Sequence, residues 1–132
     1  MNNKDFSKYS DLALLLLRLG VGLIFVVAGW GKLTGIEGVQ EFFGNLGIPM
    51  AGIMAWVVAI VEFVGGLMVL FGIKIRIPSL LLAFVMVVAL LTTKLGGEFS
   101  AARLDIMLLL TSLALAILGS GKYSVDSMIG KN

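Results

Sequence analysis

The chain has 132 residues, 59% of them apolar and only 14% charged, with a formal net charge of +2. A soluble domain of this size needs about 25% charged residues to cover its surface, and the mean hydropathy here is +1.07. These figures exclude a disordered chain, a coiled coil and an ordinary soluble enzyme, and they point to an integral membrane protein. No basic cluster marks a nucleic-acid partner. The chain contains no Cys and no His, which excludes a thiol relay, a disulfide, haem ligation, a Cys-ligated iron–sulfur cluster and a Cys/His zinc site.

Four apolar segments follow in order, over residues 12–32, 50–71, 77–93 and 103–118. The first two reach the ~20 residues that span a bilayer as helix, and the last two sit near the short end, ~17. They predict a single domain, residues 1–132: an all-α, integral membrane, antiparallel four-helix bundle. The first segment has Lys4 and Lys8 before it and small residues near its end, like a signal peptide. Its apolar run is longer than the usual ~7–15-residue signal core, so it reads as a retained helix. Between the first two spans, Ile36, Val39, Phe42 and Phe43 recur at helical spacing with Glu37, Gln40 and Glu41 opposite. This pattern predicts a short helix in the membrane interface, ended by Gly44, Gly47 and Pro49. Pro78 suits the first turn of the third span.

Basic residues set the expected orientation. Lys4, Lys8, Lys74, Arg76, Lys122 and Lys131 share one side, and Lys32, Lys94 and Arg103 the other, with Glu37, Glu41 and Glu98. The expected place is the cell membrane, crossed four times, with both termini cytoplasmic.

Charges inside the spans are the candidate functional residues, because a lone arginine at mid-bilayer costs ~2.5–3.5 kcal/mol on insertion scales. Arg18, Gly22, Phe25, Gly29 and Lys32 fall on one stripe of the first helix. Ala51, Ala55, Glu62, Gly66 and Val69 fall on one stripe of the second. Small residues on both stripes let the helices approach closely. Counted from the ends of the apolar runs, Arg18 and Glu62 lie at similar depth, which predicts an Arg18–Glu62 ion pair. Lys32 and Asp105 are a predicted second pair on the outer side, where Thr92 and Thr93 would help line a polar pocket. Each charge also has a plainer reading: a pair that only fixes register, a lysine that snorkels to the boundary. Trp30 and Trp56 read as interface or packing aromatics and are the aromatic candidates for contact with a substrate.

Four motifs resemble the DoxX family of small bacterial and archaeal membrane proteins. They are Arg18-Leu-Gly20 with Phe25, Gly29 and Gly31-Lys32; Glu62-Phe-Val-Gly65-Gly66 with Leu70 and Gly72; Asp105 leading the last helix; and the tail Gly119-Ser-Gly-Lys-Tyr-Ser-Val-Asp126. The resemblance runs from about Leu12 to Asp126. It implies a four-helix membrane protein tied to redox metabolism. Some members look like the small subunit of a thiosulfate:quinone oxidoreductase, and others act in defence against catechol, quinone and thiol stress or assemble with soluble antioxidant enzymes. The lack of Cys argues against direct thiol exchange by this chain.

Two functions stay open. In the first, the chain is a quinone-linked redox component, with Arg18 or Lys32 on a quinone oxygen and Glu62 or Asp105 carrying protons. No dinucleotide or metal motif supplies electrons, so a redox partner protein is expected. In the second, the chain is a scaffold or a small-solute or lipid transporter, and the glycine stripes serve a homo-oligomer.

Overall fold

The computed structural model describes residues 3–94 and 99–130, without the side chains of residues 3–8, 93–94 and 99–101. Lys4, Lys8, Thr93, Lys94, Glu98 and Lys131, all used in the sequence reading, therefore lie outside the described side chains. Among the described residues the structure is helical, with no strand.

Helix α1 (Asn3–Thr34) is 32 residues long, about 48 Å, and overruns the hydrocarbon core of a bilayer. Thr34 ends it by turning its hydroxyl back onto the carbonyls of Trp30 and Gly31. Helix α2 (Ile36–Asn45) forms where the short helix between the first two spans is expected. Its Ile36, Val39 and Phe43 are half-buried, while Glu37 and Glu41 are exposed. The Gln40 amide donates to the Gly52 carbonyl at 3.1 Å, which folds α2 back onto the next helix. Helix α3 (Ala51–Phe71) buries Ala55, Ala59, Glu62, Gly65, Gly66 and Val69. This is the small-residue stripe legible in the sequence, widened by Ala59 and Gly65.

Helix α4 (Arg76–Ala89) carries Pro78 in its first turn, where a missing N–H costs no helical hydrogen bond. It ends in a wider π-helical turn, Leu90–Lys94. Helix α5 (Phe99–Leu118) returns antiparallel to α4, and the short α6 (Val125–Met128) closes the described chain.

Helix α1 packs on α3, α3 on α4, α4 on α5, and α5 returns to α1. The core between them holds Val21, Phe25, Val69, Ile75, Leu82, Met86, Leu108 and Leu115. Contact between α1 and α3 depends on glycine. A Cβ at Gly29 would stand 2.4 Å from the Phe63 nitrogen, and one at Gly66 would stand 2.8 Å from the Val26 nitrogen. No side chain fits there, so the two backbones touch. The same contacts fix an antiparallel register in which Gly22 faces Leu70, Val26 faces Gly66 and Gly29 faces Phe63.

The outward surface is apolar on all four long helices: Val27, Ile53, Phe84 and Ile117 are each at least 60% exposed. Continuous apolar surface of this kind is not stable in water and needs a partner. Among the described residues, two helices, Tyr9–Thr34 and Ala51–Phe71, are long and apolar enough to cross a membrane, and Arg76–Thr92 is a shorter apolar helix.

Candidate functional site

The register separates the two charges that the sequence brought together. Glu62 faces the Lys32 end of α1, about twelve residues or roughly 18 Å from Arg18 along the helix axis. The expected Arg18–Glu62 pair does not form. Glu62 instead accepts a hydrogen bond from Lys32, Nζ to Oε2 at 2.8 Å. The physical reason is the offset of the two helices: α1 projects past the end of α3, so the edges of their apolar runs are not level, and Arg18 comes down to Val69 and Leu70.

Arg18 is 2% exposed, and its partners are backbone carbonyls from two segments. Its Nε donates to Val69 at 3.1 Å and its Nη2 to Leu70 at 3.0 Å. Its Nη1 donates to Ser120 at 2.9 Å and to Tyr123 at 2.7 Å. Val69 and Leu70 lie in the last turn of α3, where carbonyls lack the amide four residues on and the helix dipole is negative. A planar, permanently charged guanidinium suits this place, because one rigid fork reaches carbonyls on both sides. Arg76 acts similarly at the neighbouring helix end, its Nε donating to Ala116 near the end of α5 at 3.1 Å.

The tail completes this lock. Gly72, at φ +70°, ends α3 with the Ile73 amide bonded back to Met68, the six-to-one closure of a glycine-capped helix. A Cβ at Gly72 would sit 2.4 Å from the Ser124 Cβ, so the tail lies directly on this turn. Asp126 is 2% exposed. Its Oδ1 accepts from the Lys74 amide and its Oδ2 from the Ile75 amide, at 2.6 and 3.2 Å. Lys74 is left-handed at φ +44° and Ile75 right-handed at φ −55°. Successive amides in that alternation form a concavity that takes an anion. The Ser120 hydroxyl adds a third bond to Oδ2 at 2.7 Å. Burial alone would push the Asp126 carboxyl up. The bonds from Ser120, Lys74 and Ile75, together with the Arg18 charge, outweigh it and hold the group below the ordinary carboxylate range. Ser124 caps α6 by accepting from the Ser127 amide.

The second cluster is at the far end of α1. Glu62 is 3% exposed and Lys32 is half-buried. Asp105 at the start of α5 is close enough for its charge to act on Glu62, and it makes further interactions of its own. Lys32, expected beside Asp105, thus has Glu62 as its close partner, with Asp105 as a second carboxylate of the same cluster. The Trp30 ring packs against Phe63 with centroids 5.9 Å apart. Trp30 stays 59% and Trp56 44% exposed. The Thr92 hydroxyl bonds back to Val88 in its own helix. Among the described residues no group of His, Cys, Asp and Glu side chains could hold a metal.

Sequence reasoning gave the tail motif no task, and Ser120 and Asp126 were missed as partners of the α3–α4 turn. Their signal was the Gly-Ser-Gly run ahead of Ser-Val-Asp: residues for tight turns and anion contacts, not for a membrane span.

An apolar helical chain with outward hydrophobic faces and paired charges in its interior is a membrane protein. The DoxX family model matches residues 13–95, and the chain belongs to the DoxX family. It is 41% identical over 130 residues to "Putative oxidoreductase CatD" of Bacillus subtilis (strain 168), covering 98% of this chain and 92% of that protein. It is 36% identical over 131 residues to "Inner membrane protein YqjF" of Escherichia coli (strain K12), covering 94% and 97%. Similarity extends to "Uncharacterized membrane protein Rv3486" of Mycobacterium tuberculosis (strain ATCC 25618 / H37Rv), 31% identical over 143 residues, covering 90% and 82%. No solved structure matches the chain. The tail that holds Arg18 lies beyond the family model but within the span of the first two relatives' similarity.

Proposed function

We propose that this DoxX-family protein is a four-helix transmembrane bundle of the cell membrane, with both termini cytoplasmic. In this reading it is the membrane component of a quinone-linked redox system. The observation that carries the reading is the Lys32–Glu62 pair, 2.8 Å apart with the carboxylate buried among apolar helices. A titratable pair inside a membrane protein is costly and marks a proton or ligand site. The name of the Bacillus relative, a putative oxidoreductase, points the same way.

The residues fit a quinone head group. Lys32 is the donor that would hold a quinone oxygen and stabilise the negative charge that builds there on reduction. Glu62 and Asp105 are the groups that would supply the protons. Trp30 and Phe63 offer an aromatic shoulder beside the pair, and Trp56 stands on the same helix as Glu62. Electrons come from a redox partner, since the chain has no Cys or His to hold a redox metal. Arg18 drops out of this chemistry, because it stands roughly 18 Å from Glu62 along the helix axis and four of its five N–H groups are committed to carbonyls. That structural use of a buried charge favours the second reading, a scaffold in which Lys32 and Glu62 only fix register.

Glu62→Gln and Lys32→Met test the two readings. Each variant is purified, checked for retained helicity, and extracted for quinones, and cells carrying it are challenged with a benzoquinone. The redox reading expects folded protein without bound quinone and without protection. Folded variants that keep wild-type quinone content and protection would leave the scaffold.

A further inference from the structure

A cleft of about 710 Å³ opens on the surface at the Arg18 end, between α1, the end of α3 and the tail. It is separate from the Lys32–Glu62 cluster. Leu15, Leu19 and Leu23 form one wall, spaced by four residues and so stacked along one helix face for about 12 Å. Leu70 and Phe71 form the second wall, and the tail overhangs with Tyr123 and Met128. The polar side chains of the lining are Arg18, Lys122 and Ser124, and Lys122, bonded through its amide to Asp11, lies beyond the Leu15 end of the wall. Lys122 is an exposed cation at the rim, and Arg18 is at the base. Nη2 of Arg18 makes a single bond, to Leu70, which leaves one of its two N–H groups without an acceptor among the described residues. No carboxylate lines the cleft. Asp11 stands beside the rim, with its Oδ1 engaged by the Lys122 amide at 3.1 Å.

We infer that this cleft binds one anionic phospholipid, its phosphate at Lys122 and an acyl chain along the Leu15–Leu19–Leu23 wall. Two observations commit the occupant. The cleft is lined mostly by apolar side chains, and its exposed charge is the cation Lys122 at the Leu15 end, with Arg18 buried beneath the wall, which matches an amphiphile with an anionic head. That end carries the basic turn Lys74–Arg76, and it faces the cytoplasmic leaflet in the proposed topology, where anionic lipids hold basic side chains. The tail that forms the overhang is the segment locked by Arg18 and Asp126, so the cleft exists because the lock is closed.

Native mass spectrometry of the full chain in detergent tests this, with phosphatidylglycerol and phosphatidylcholine of matched acyl chains added in turn. The expected result is one retained phosphatidylglycerol and no retained phosphatidylcholine. Lys122→Ala should weaken retention about fivefold, the factor one interfacial lysine supplies. Leu19→Trp, which fills the cleft, should abolish it; Leu23→Trp, 52% exposed on the same wall, serves if Leu19→Trp does not fold. Arg103→Ala, at the opposite end of the bundle, should change nothing. Equal retention of the two lipids, indifference to Lys122→Ala, or displacement of the lipid by an isoprenoid quinone would each overturn the assignment.

Discussion

Replacing Arg18 by Met removes the guanidinium while keeping a long apolar stem. The Val69 carbonyl keeps the Gly72 amide as a donor. The Leu70 and Tyr123 carbonyls are partly exposed and can hydrate. Ser120, fully buried, is left with a bare acceptor, which costs about 1–3 kcal/mol. Asp126 loses its counter-charge, and α3 loses a cation at its negative end, worth up to about 2 kcal/mol in a buried setting. Together these predict a loss of about 3–5 kcal/mol, the usual cost of breaking a buried charge from one side. That is a large part of the 5–15 kcal/mol a domain has in all. Arg18→Lys should recover only part, since one ammonium cannot reach carbonyls on both sides. The assay is reversible unfolding in mixed micelles, with proteolysis of the tail as the local readout. Arg18→Met within about 1 kcal/mol of the wild type, with a tail still resistant to protease, would refute the lock.

Lys32→Met and Glu62→Met should each cost about 3–5 kcal/mol, and the double variant should recover much of it; a double-mutant cycle in micelles reads this. The same cycle for Arg18 and Glu62 should be additive within about 0.5 kcal/mol, as for distant sites. Gly72→Ala should cost at least 1 kcal/mol, because a Cβ meets both a positive φ and the Ser124 side chain, and tail proteolysis should rise with it. For Asp126 the sign follows from its lowered folded value. Its stabilising contribution is complete above the ordinary aspartate value of about 3.9 and is lost as pH falls through the lower folded value. Tail protection should therefore be constant from pH 8 to pH 5 and fail only below about pH 4, whereas Asp126→Ala should expose the tail at neutral pH.

The elements were legible because apolar length and helical spacing are written in the residues. Four long helices, the Ile36–Asn45 helix and the glycine contacts between α1 and α3 all follow from them. The partners of Arg18 were not legible, because backbone carbonyls carry no letter in a sequence. A search for an acidic partner finds Glu62, while the structure uses the end of a helix. Nor do the edges of an apolar run mark depth here, since α1 extends well beyond Leu12 toward its N-terminus. Lys32 and Asp105 both stand near Glu62, and the carboxylate that Lys32 holds at 2.8 Å is Glu62.

Isotope-edited infrared difference spectroscopy of the Glu62 carboxyl tests most directly which cation serves it. A carboxylate deprived of its cation inside the bundle takes up a proton rather than remain charged. Lys32→Met should therefore convert the Glu62 signal from the ionised to the protonated form at neutral pH, and Arg18→Met should leave it unchanged. A Glu62 signal that responds to Arg18→Met and ignores Lys32→Met would contradict the pairing on which the proposed site rests.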